Sequence, residues 1–189
     1  CKKCMTSHQK HQVIKEELFP TTYHYRSRLT NDVLLGMDNL VDSVEKYVGS
    51  LNNLTVLDIG SNDGSLLDRF YNRGAKTIGV EPTGAHADSD NKHVIINDFF
   101  NKSVAESVLK NYEKIDVITF TNVFAHIDDL PSLLNSLEIL INKETVIVIE
   151  NHYIGSILEK NQFDTFYHEH PRTYSLNSFI NIADSINCN

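Results

Sequence analysis

The sequence predicts an α/β fold in which a mostly parallel sheet is covered by helices. From Thr55 onward, nearly continuous apolar runs alternate with amphipathic helical patterns, as expected for strands buried on both faces. The first run leads directly into a glycine turn and a helix, the arrangement that opens a nucleotide-binding βαβ unit. Ligands of such sheets bind beyond the carboxyl ends of the strands, so the residues that follow each strand are the candidate site residues.

Composition sets outer bounds on size and class. The chain has 189 residues, of which 41% are hydrophobic, so it can bury one main domain with an appendage. The net charge of −8 is not accompanied by a basic stripe, which argues against nucleic acid or anionic membrane as a partner. No apolar run approaches the ~20 residues of a transmembrane helix. Three cysteines do not make a disulfide framework, so we expect a cytoplasmic protein.

The ends of the chain suggest a fragment of a longer protein. The sequence starts on Cys1 and stops at Asn189 directly after a helical pattern. Near the start, Cys1-Lys-Lys-Cys4 supplies at most two ligands, whereas a structural zinc site needs four. Three interpretations stay open: half of a zinc ribbon, a local site completed by His8 and His11, or two free thiols.

A long helix is predicted over Asn31 to Val48. Its apolar residues lie on one stripe and its acidic residues lie off that stripe. Gly49 then ends the helix. We therefore divide the chain into an N-terminal segment, 1–30, and a main domain, 31–189.

The glycine turn after the first predicted strand carries the signal for a cofactor. The strand Val56–Ile59 leads into Gly60-Ser-Asn-Asp-Gly64, a spacing unlike the GxGxxG of dinucleotide sites. Two carboxylates here would repel a pyrophosphate at the helix N-terminus. They would suit the sulfonium and ammonium of S-adenosylmethionine. The predicted cofactor residues of this stretch are Asp58, Gly60, Asn62, Asp63 and Gly64.

The remaining elements continue the alternation of strand and helix. Asp129 is the predicted cap of the last helix in this set, which has Pro131 in its first turn. The further predicted strands are Thr77–Val80, Val94–Ile96, Ile115–Phe120 and Thr145–Ile149, and the predicted helices are Ser65–Arg73, Lys102–Tyr112 and Pro131–Ile141.

Acids and aromatic residues at the next strand ends extend the cofactor site. Glu81 follows the second strand and is placed to accept hydrogen bonds from both ribose hydroxyls of a nucleoside. Asp98 and Phe99 follow the third strand and offer a carboxylate for an adenine amino group beside an aromatic face. A helix cap at Asn97 or Asp98 is the competing structural interpretation.

The later strand ends carry side chains suited to acid–base chemistry. Asn122 and His126 lie four residues apart, on one face if that segment is helical. Glu150-Asn-His-Tyr153 puts an acid, an imidazole and a phenol on one loop. Further on, Tyr167-His-Glu-His170 is the densest run of titratable groups. A histidine can remove a proton near neutral pH and a neighbouring carboxylate can orient it, although an exposed polar loop is the alternative.

These motifs together resemble the S-adenosylmethionine-dependent sugar C-methyltransferases that act on nucleotide-linked 4-keto-deoxyhexoses. The resemblance covers nearly the whole chain, and its most specific part is the Tyr-His-Glu-His run. The matching motifs are Cys1-x-x-Cys4, Glu16-Glu-Leu-Phe19, Tyr23-His-Tyr-Arg-Ser27, Leu57-Asp-Ile-Gly-Ser-Asn-Asp-Gly-Ser65, Gly79-Val-Glu-Pro82, Asn122-Val-Phe-Ala-His126, Glu150-x-His-Tyr153 and Phe163-Asp-Thr-x-Tyr-His-Glu-His170.

The resemblance implies a Rossmann-like class I methyltransferase fold and a role for each matching position. Cys1 and Cys4 correspond to the second pair of a four-cysteine structural zinc site. Either Tyr23 or Tyr25 would reach the sugar. The residues expected to face the substrate are Asn122, His126, Tyr167, Glu169 and His170, with Glu150 and His152 as further substrate contacts. The family also has a carboxy-terminal domain and a closing pair of strands, which this chain lacks.

The implied reaction starts with proton removal from the carbon next to a ketone. His170 is the favoured base, and Tyr167 or His126 would stabilise the enolate oxygen. The carbanion would then take the methyl group of S-adenosylmethionine. An O- or N-methyltransferase acting on a small molecule, or a non-catalytic domain that binds S-adenosylmethionine, stays open as an alternative. The nucleotide, the sugar and the oligomeric state do not follow from the sequence.

Overall fold

The computed structural model describes residues 4–188, so Cys1 and its predicted zinc role lie outside the described residues. Seven strands and seven α-helices make up this part of the chain. The strands are β1 (Ser7–His8), β2 (Thr55–Ile59), β3 (Lys76–Val80), β4 (Val94–Ile96), β5 (Val117–Thr121), β6 (Val146–Glu150) and β7 (Arg172–Thr173). The helices are α1 (Lys15–Leu18), α2 (Asn31–Val48), α3 (Ser65–Tyr71), α4 (Lys102–Asn111), α5 (Leu130–Leu140), α6 (Ile154–Lys160) and α7 (Leu176–Ser185).

The main sheet confirms the predicted parallel α/β fold. Its five strands run in the order β4-β3-β2-β5-β6, and every neighbouring pair is parallel. The chain winds outward from β2 through β3 to β4 and then crosses back to β5 beside β2. This reversal is a topological switch point, where the loops of adjacent strands diverge and leave a crevice. The ends of β2, β3 and β5 therefore frame the site.

Helices cover both faces of the sheet, as the apolar strands predicted. Helices α2 and α3 pack on one face, where Val41 and Phe70 are fully buried against Val56 of β2. Helices α4, α5 and α7 cover the other face, where Val108 and Leu137 pack in a second cluster with Phe120. Strands buried on both sides gain hydrophobic stabilisation along their whole length, so they hold the loops at their ends firmly.

Helix termini confirm some local predictions and correct others. Asp129 caps α5 by accepting a hydrogen bond from the backbone N–H of Ser132 at 3.1 Å. Gly49 ends α2 with φ 87°, the left-handed conformation that favours glycine. A cap at Asn97 or Asp98 is wrong, because Asn101 caps α4 through the N–H of Val104.

The N-terminal segment packs against the main domain. Strand β1 pairs antiparallel with β7, with Ser7 opposite Thr173 and His8 opposite Arg172. The carbonyl of Met5 accepts hydrogen bonds from the hydroxyls of Ser175 and Ser178 at 2.9 and 2.7 Å. We call residues 4–9 the N-terminal arm. The arm lies beside the part of the chain that follows the Tyr167–His170 run, so it is well placed to influence that run.

Within residues 4–188, no helix is both long and apolar enough to cross a lipid bilayer.

Candidate functional site

A cavity of about 690 Å³ opens at the carboxyl ends of β2, β3 and β5. Its volume lies in the range of small-molecule sites. Among the described residues that line it, one carries an amine, Lys15, and six carry carboxylates: Asp58, Glu81, Asp128, Asp129, Asp164 and Glu169. This balance of charge disfavours a ligand that presents only anionic groups and favours one with a cationic centre.

The glycine turn begins the cofactor half of this cavity. Gly60 has φ 78°, and a Cβ there would lie 2.3 Å from a side-chain methyl carbon of Val123. Glycine is therefore required both by the backbone conformation and by the close approach of the next loop. Asn62, also left-handed with φ 50°, lines the cavity beside it. Gly64 caps α3 with φ 78° and contacts Ser89, so it shapes the turn from outside the cavity lining.

Asp63 does not line the cavity, contrary to what its position in the turn suggested. Its side chain is fully buried, with Oδ1 accepting from the hydroxyl of Ser65 at 2.6 Å and Oδ2 accepting from Arg28 Nε at 3.1 Å. The backbone N–H of Arg28 also donates to Oδ2 at 2.9 Å. Asp63 therefore ties the N-terminal segment to the glycine turn, and its charge is neutralised by Arg28 instead of by a ligand.

Asp58 stands at the end of the central strand and does line the cavity. It is 2% exposed and accepts a hydrogen bond from the hydroxyl of Thr119 on the neighbouring strand at 2.6 Å. Burial, together with the nearby charge of Glu81, raises the pKa of Asp58 to about 7. A cation in the cavity would favour the ionised form of this carboxyl.

Glu81 is buried at the end of β3, and its carboxylate is already heavily used. Oε1 accepts from both the backbone N–H and the hydroxyl of Thr83, at 2.8 and 2.6 Å, while Oε2 accepts from the N–H of Asn62 at 2.8 Å. A carboxylate has about four lone-pair directions. The arrangement leaves room on Oε2 for one ribose hydroxyl, whereas the position alone suggested two.

The predicted adenine pair is separated by the structure. Phe99 lines the cavity, with the ammonium of Lys15 5.0 Å from its ring centre. Asp98 is exposed outside the lining, and its carboxylate accepts the N–H of Phe99 at 2.7 Å. The ring of Phe99 is thus available to a ligand, whereas the carboxylate of Asp98 accepts a hydrogen bond from the backbone of its own loop.

Asn122 and His126 do not share a helical face. Asn122 is left-handed with φ 55°, and a short 3-10 helix spans only Phe124–His126. The amide of Asn122 lies in the cavity lining and donates to Glu150 at 3.1 Å. Glu150 itself is exposed and outside the lining, so its place is behind Asn122.

His170 is 5% exposed and lines the cavity. Its Nδ1 lies 2.9 Å from the carbonyl oxygen of Thr165. A carbonyl only accepts, so Nδ1 carries the proton of the neutral ring and Nε2 holds the free lone pair. Burial lowers the pKa of His170, which keeps the ring neutral. A neutral imidazole with a free Nε2 is a competent proton acceptor.

The rings of two further histidines pack against His170 at tilted angles. The ring centres of His126 and His152 lie 5.0 and 4.6 Å from that of His170. His126 Nδ1 lies 2.6 Å from the carbonyl of Glu169, and burial lowers the pKa of this imidazole. Neutral His126 therefore presents an unprotonated Nε2, which accepts a hydrogen bond; the role of donor to an enolate oxygen does not fit this tautomer. Nδ1 of His152 is buried without a partner among the described residues.

Two tyrosines lie beside these histidines, and the hydroxyls of both interact with Glu169. Tyr167 lies against His170 with ring centres 4.4 Å apart, and Tyr23 donates to Glu169 Oε2 at 3.4 Å. Desolvation raises the pKa of both phenols, so they stay protonated near neutral pH. Tyr25 also lines the cavity but is 47% exposed. Of the two candidate tyrosines, Tyr23 is the one in contact with the acid–base cluster.

The predicted metal site is not assembled in the described part of the chain. Cys4 Sγ lies 3.2 Å from His8 Nε2. Nevertheless, residues 4–188 contain no group of three or more histidine, cysteine or acidic side chains arranged to hold a metal. Because Cys1 lies outside these residues, the pairing of Cys1 with Cys4 at a structural zinc stays a prediction.

Several site residues were missed by the sequence reasoning. Thr83 donates two hydrogen bonds to Oε1 of Glu81. The backbone carbonyl of Thr165 fixes the tautomer of His170. The hydroxyls of Ser61 and Thr121 are buried without partners in the described structure, in residues that line the cavity. Ser61 and Thr121 each follow or end a strand at the switch point, a position that signals a site. A backbone carbonyl such as that of Thr165 leaves no such signal.

Strand order, glycine turn and the buried acids at the strand ends define a Rossmann-like domain of the methyltransferase class. Solved structures agree on the fold. A plantazolicin methyltransferase, BpumL, whose structure contains S-adenosylhomocysteine, is 19% identical with a TM-score of 0.59, and the match covers 80% of this chain and 64% of that one. A methyltransferase from Archaeoglobus fulgidus is 20% identical with a TM-score of 0.58, over 79% of this chain and 68% of that one.

The chain belongs to the methyltransferase-domain family, whose model matches residues 29–189. It is similar to the C-methyltransferase NovU of Streptomyces niveus, at 28% identity over 98% of this chain and 44% of that protein. It is also similar to a ubiquinone biosynthesis O-methyltransferase of Rhodopseudomonas palustris, at 28% identity over 55% of this chain and 42% of that protein. The chain thus spans less than half the length of these curated relatives.

Proposed function

We propose that the protein is an S-adenosylmethionine-dependent C-methyltransferase that acts next to the ketone of a nucleotide-linked 4-keto-deoxy sugar. The observation that carries the proposal is the Nε2 lone pair of His170, which belongs to the same cavity as the glycine turn. Transfer to oxygen or nitrogen does not require a base able to act on a carbon acid. The similarity to NovU over nearly the whole chain supports the same conclusion.

The cofactor half of the cavity fits S-adenosylmethionine. The free direction on Glu81 Oε2 would take a ribose hydroxyl, and the ring of Phe99 would contact the adenine. The unpartnered hydroxyls of Ser61 and Thr121 offer further polar contacts. Asp58 supplies a buried carboxylate that a cationic ligand would ionise. When bound, the cofactor supplies an electrophilic methyl group.

His170 begins the chemistry by accepting the proton from the carbon next to the ketone at Nε2. The carbonyl of Thr165 holds the Nδ1 proton in place, so Nε2 stays directed and unprotonated beforehand. The hydroxyl of Tyr167 interacts with Glu169, and it would exchange this partner for the ketone oxygen as negative charge develops there. The nearby charge of Glu169 favours the imidazolium form of His170 that results.

Tyr23 and His126 complete the substrate half. Tyr23 holds Glu169 from the N-terminal segment, and its phenol edge packs on Phe19 with ring centres 5.5 Å apart. His126, with Nε2 as acceptor, is suited to a hydroxyl of the sugar. Phe19 packs against the imidazole of His126, with ring centres 5.0 Å apart. The nucleotide, the sugar and the methylated carbon are the finer parts of the proposal.

An O-methyltransferase is the second candidate, favoured by the similarity to the ubiquinone biosynthesis enzyme over 55% of this chain. A non-catalytic role loses support, because His170 is buried and shares its cavity with Gly60. The complete polypeptide that carries this chain should be incubated with methyl-labelled S-adenosylmethionine and a panel of 4-keto sugar nucleotides, and the products examined by NMR. A methyl group bound to carbon supports the proposal. A methyl group on oxygen or nitrogen, or no transfer to any of the panel, overturns it.

A further inference from the structure

The segment that carries the proposed base is a loop whose carbonyls need partners. Residues 166–171 lie between a short 3-10 helix, Phe163–Thr165, and β7. Within the segment, the N–H of His170 donates to the carbonyl of Tyr167 at 2.9 Å. Side chains at its tip are open to solvent, since Tyr167 is 39% exposed. Loop carbonyls left without partners favour other conformations. What holds this segment from outside therefore decides where His170 lies.

Gln9 of the N-terminal arm makes that contact. Its side-chain amide nitrogen donates to the carbonyl of Tyr167 at 2.5 Å and to the carbonyl of His170 at 3.0 Å. Its backbone N–H donates to the carbonyl of Pro171 at 2.9 Å. Both amide protons are used, and because carbonyls only accept, the NH₂ group must be the side that faces the loop. One residue thus binds three carbonyls across the base-bearing segment.

The strand that pairs with the arm, β7, is anchored to the loop that carries His126. The β1–β7 pairing sets His8 opposite Arg172. The guanidinium of Arg172 donates to the carbonyls of Ile127 and Asp128, directly after His126, the latter at 2.7 Å. Gln9 and Arg172 therefore connect the two histidine-bearing segments through a single strand pair.

We propose that Gln9 is a positioning residue, which fixes His170 relative to the substrate half of the cavity. The proposal rests on the proposed function for its catalytic consequence. Gln9 does not line the cavity and does not touch the reacting atoms. It acts by holding the backbone on both sides of Glu169, so that the Thr165 carbonyl and the His170 ring keep their contact. Small displacements of a catalytic group cost large factors in rate.

The matched variants are Gln9→Met, Gln9→Glu and Gln12→Glu. Methionine keeps the length of Gln9 and loses both donors, whereas glutamate keeps the shape and turns two donors into charged acceptors facing carbonyls. Gln12 is exposed and its side chain makes no hydrogen bond in the part of the chain described, so Gln12→Glu is the control for charge in the same region. Exchange of the α-hydrogens of a thymidine-diphosphate 4-keto-6-deoxyglucose with deuterated water, with S-adenosylhomocysteine bound, reports proton removal directly.

We expect exchange to fall by about tenfold or more in Gln9→Met and further in Gln9→Glu. S-adenosylhomocysteine affinity should stay within about twofold, and Gln12→Glu should match the wild type. A purely structural role would lower affinity and thermal stability together with exchange. Wild-type exchange rates in both Gln9 variants overturn the proposal.

A second measurement keeps this test separate from the proposed function. The ¹⁵N NMR spectrum of the His170 ring reports whether Nδ1 or Nε2 carries the proton, and it needs no substrate. The wild type should show the Nδ1–H tautomer, and Gln9→Met should mix the two tautomers. If the wild type exchanges no member of the panel, the proposed function fails while the spectra still test Gln9. An unchanged ring spectrum in both Gln9 variants contradicts the positioning role by itself.

Discussion

His170 Nδ1 lies 2.9 Å from the carbonyl oxygen of Thr165, a residue only five positions earlier in the chain. This short-range contact selects the tautomer of the ring. The proton sits on Nδ1, and the lone pair on Nε2 is left for a substrate. The acceptor is a backbone carbonyl, so a change of the Thr165 side chain does not remove it. The first prediction follows from it.

Replacing His170 with asparagine should abolish α-hydrogen exchange and methyl transfer, with a loss of at least ~10²-fold for removing a general base. Cofactor affinity should change little, because the ring lies in the part of the cavity that we propose for the substrate. His168→Asn is the matched control, since His168 is exposed and outside the cavity lining. Calorimetry with S-adenosylhomocysteine and exchange monitored by NMR give the two readouts. Retention of full exchange in His170→Asn would move the base to another residue.

The acid limb of the exchange rate should lie below pH 6.5. Burial lowers the pKa of His170 from its ordinary value of 6.5, and only the neutral ring accepts a proton. The rate should therefore rise with pH through the lowered pKa, with the midpoint of the rise below 6.5. The free energy of unfolding should also rise with pH over this range. As pH falls, the unfolded chain takes up the His170 proton before the folded protein does, so the stabilisation from neutral His170 is complete above pH 6.5 and is lost at lower pH. A limb centred above pH 6.5 is the outcome that contradicts burial as the dominant effect.

Glu81→Ala should weaken binding of S-adenosylhomocysteine by at least about 1.5–3 kcal/mol, the contribution of a charge-assisted hydrogen bond. The variant loses the free acceptor on Oε2 and also the bonds that hold Asn62 and Thr83. Glu144→Ala, on the exposed turn before β6, is the control, because the Glu144 carboxylate contacts only Lys114 within residues 4–188. Calorimetry measures the affinity, and circular dichroism checks the fold. Equal affinities in the two variants would remove the ribose assignment.

Asp58→Asn should change how stability depends on pH. The pKa of Asp58 is about 7 in the folded protein and 3.8 in its ordinary state, so the unfolded chain releases the proton first. The contribution of Asp58 is complete below about pH 4 and is lost as pH rises toward 7. Relative to Asp58→Asn, the wild type should lose stability over that interval and then stay level. Urea unfolding at several pH values measures the difference, and a constant difference would contradict the raised pKa.

Arg28→Ala should lower the free energy of unfolding by about 1–3 kcal/mol, because the carboxylate of Asp63 stays buried with fewer donors. Arg73→Ala removes a comparable side chain from the exposed acids Asp42 and Glu45. Exposed pairs contribute about 0–1 kcal/mol, so the control should lose much less. Denaturant titration of both variants gives the comparison. Equal losses would mean that Asp63 gains nothing from Arg28.

Elements with strong local rules were predictable from the sequence. The alternation of apolar runs and amphipathic helices predicted the parallel sheet. Asp129 marks the start of α5 by side-chain capping, and Gly49 marks the end of α2 by its left-handed backbone. Both signals depend only on local sequence. The roles of Asp63 and Glu81 were predicted only in part from the sequence. Their type and position predict a carboxylate near the cofactor, but the partners that fill those carboxylates come from Arg28 and Thr83.

Contacts across the whole chain were the hardest to foresee. Nothing in the composition of the first nine residues indicates that Gln9 binds the backbone of His170, 161 positions away. The tautomer of His170 depends on a carbonyl, which every residue has. Sequence patterns predicted many of the side chains that line the cavity, whereas the backbone groups that orient them required the three-dimensional structure.

The pairing of β1 with β7 also has a consequence for biosynthesis. A ribosome adds roughly 5–20 residues per second, so Ser7 leaves the exit tunnel many seconds before its partner Thr173 has been made. Strands β2 to β5 are complete well before then, so the cofactor half can fold on the nascent chain while the arm still has exposed backbone donors and acceptors. The arm and the base-bearing loop reach their final places together, late in translation. A pause in synthesis just before residue 173 would leave an arm prone to bind other chains.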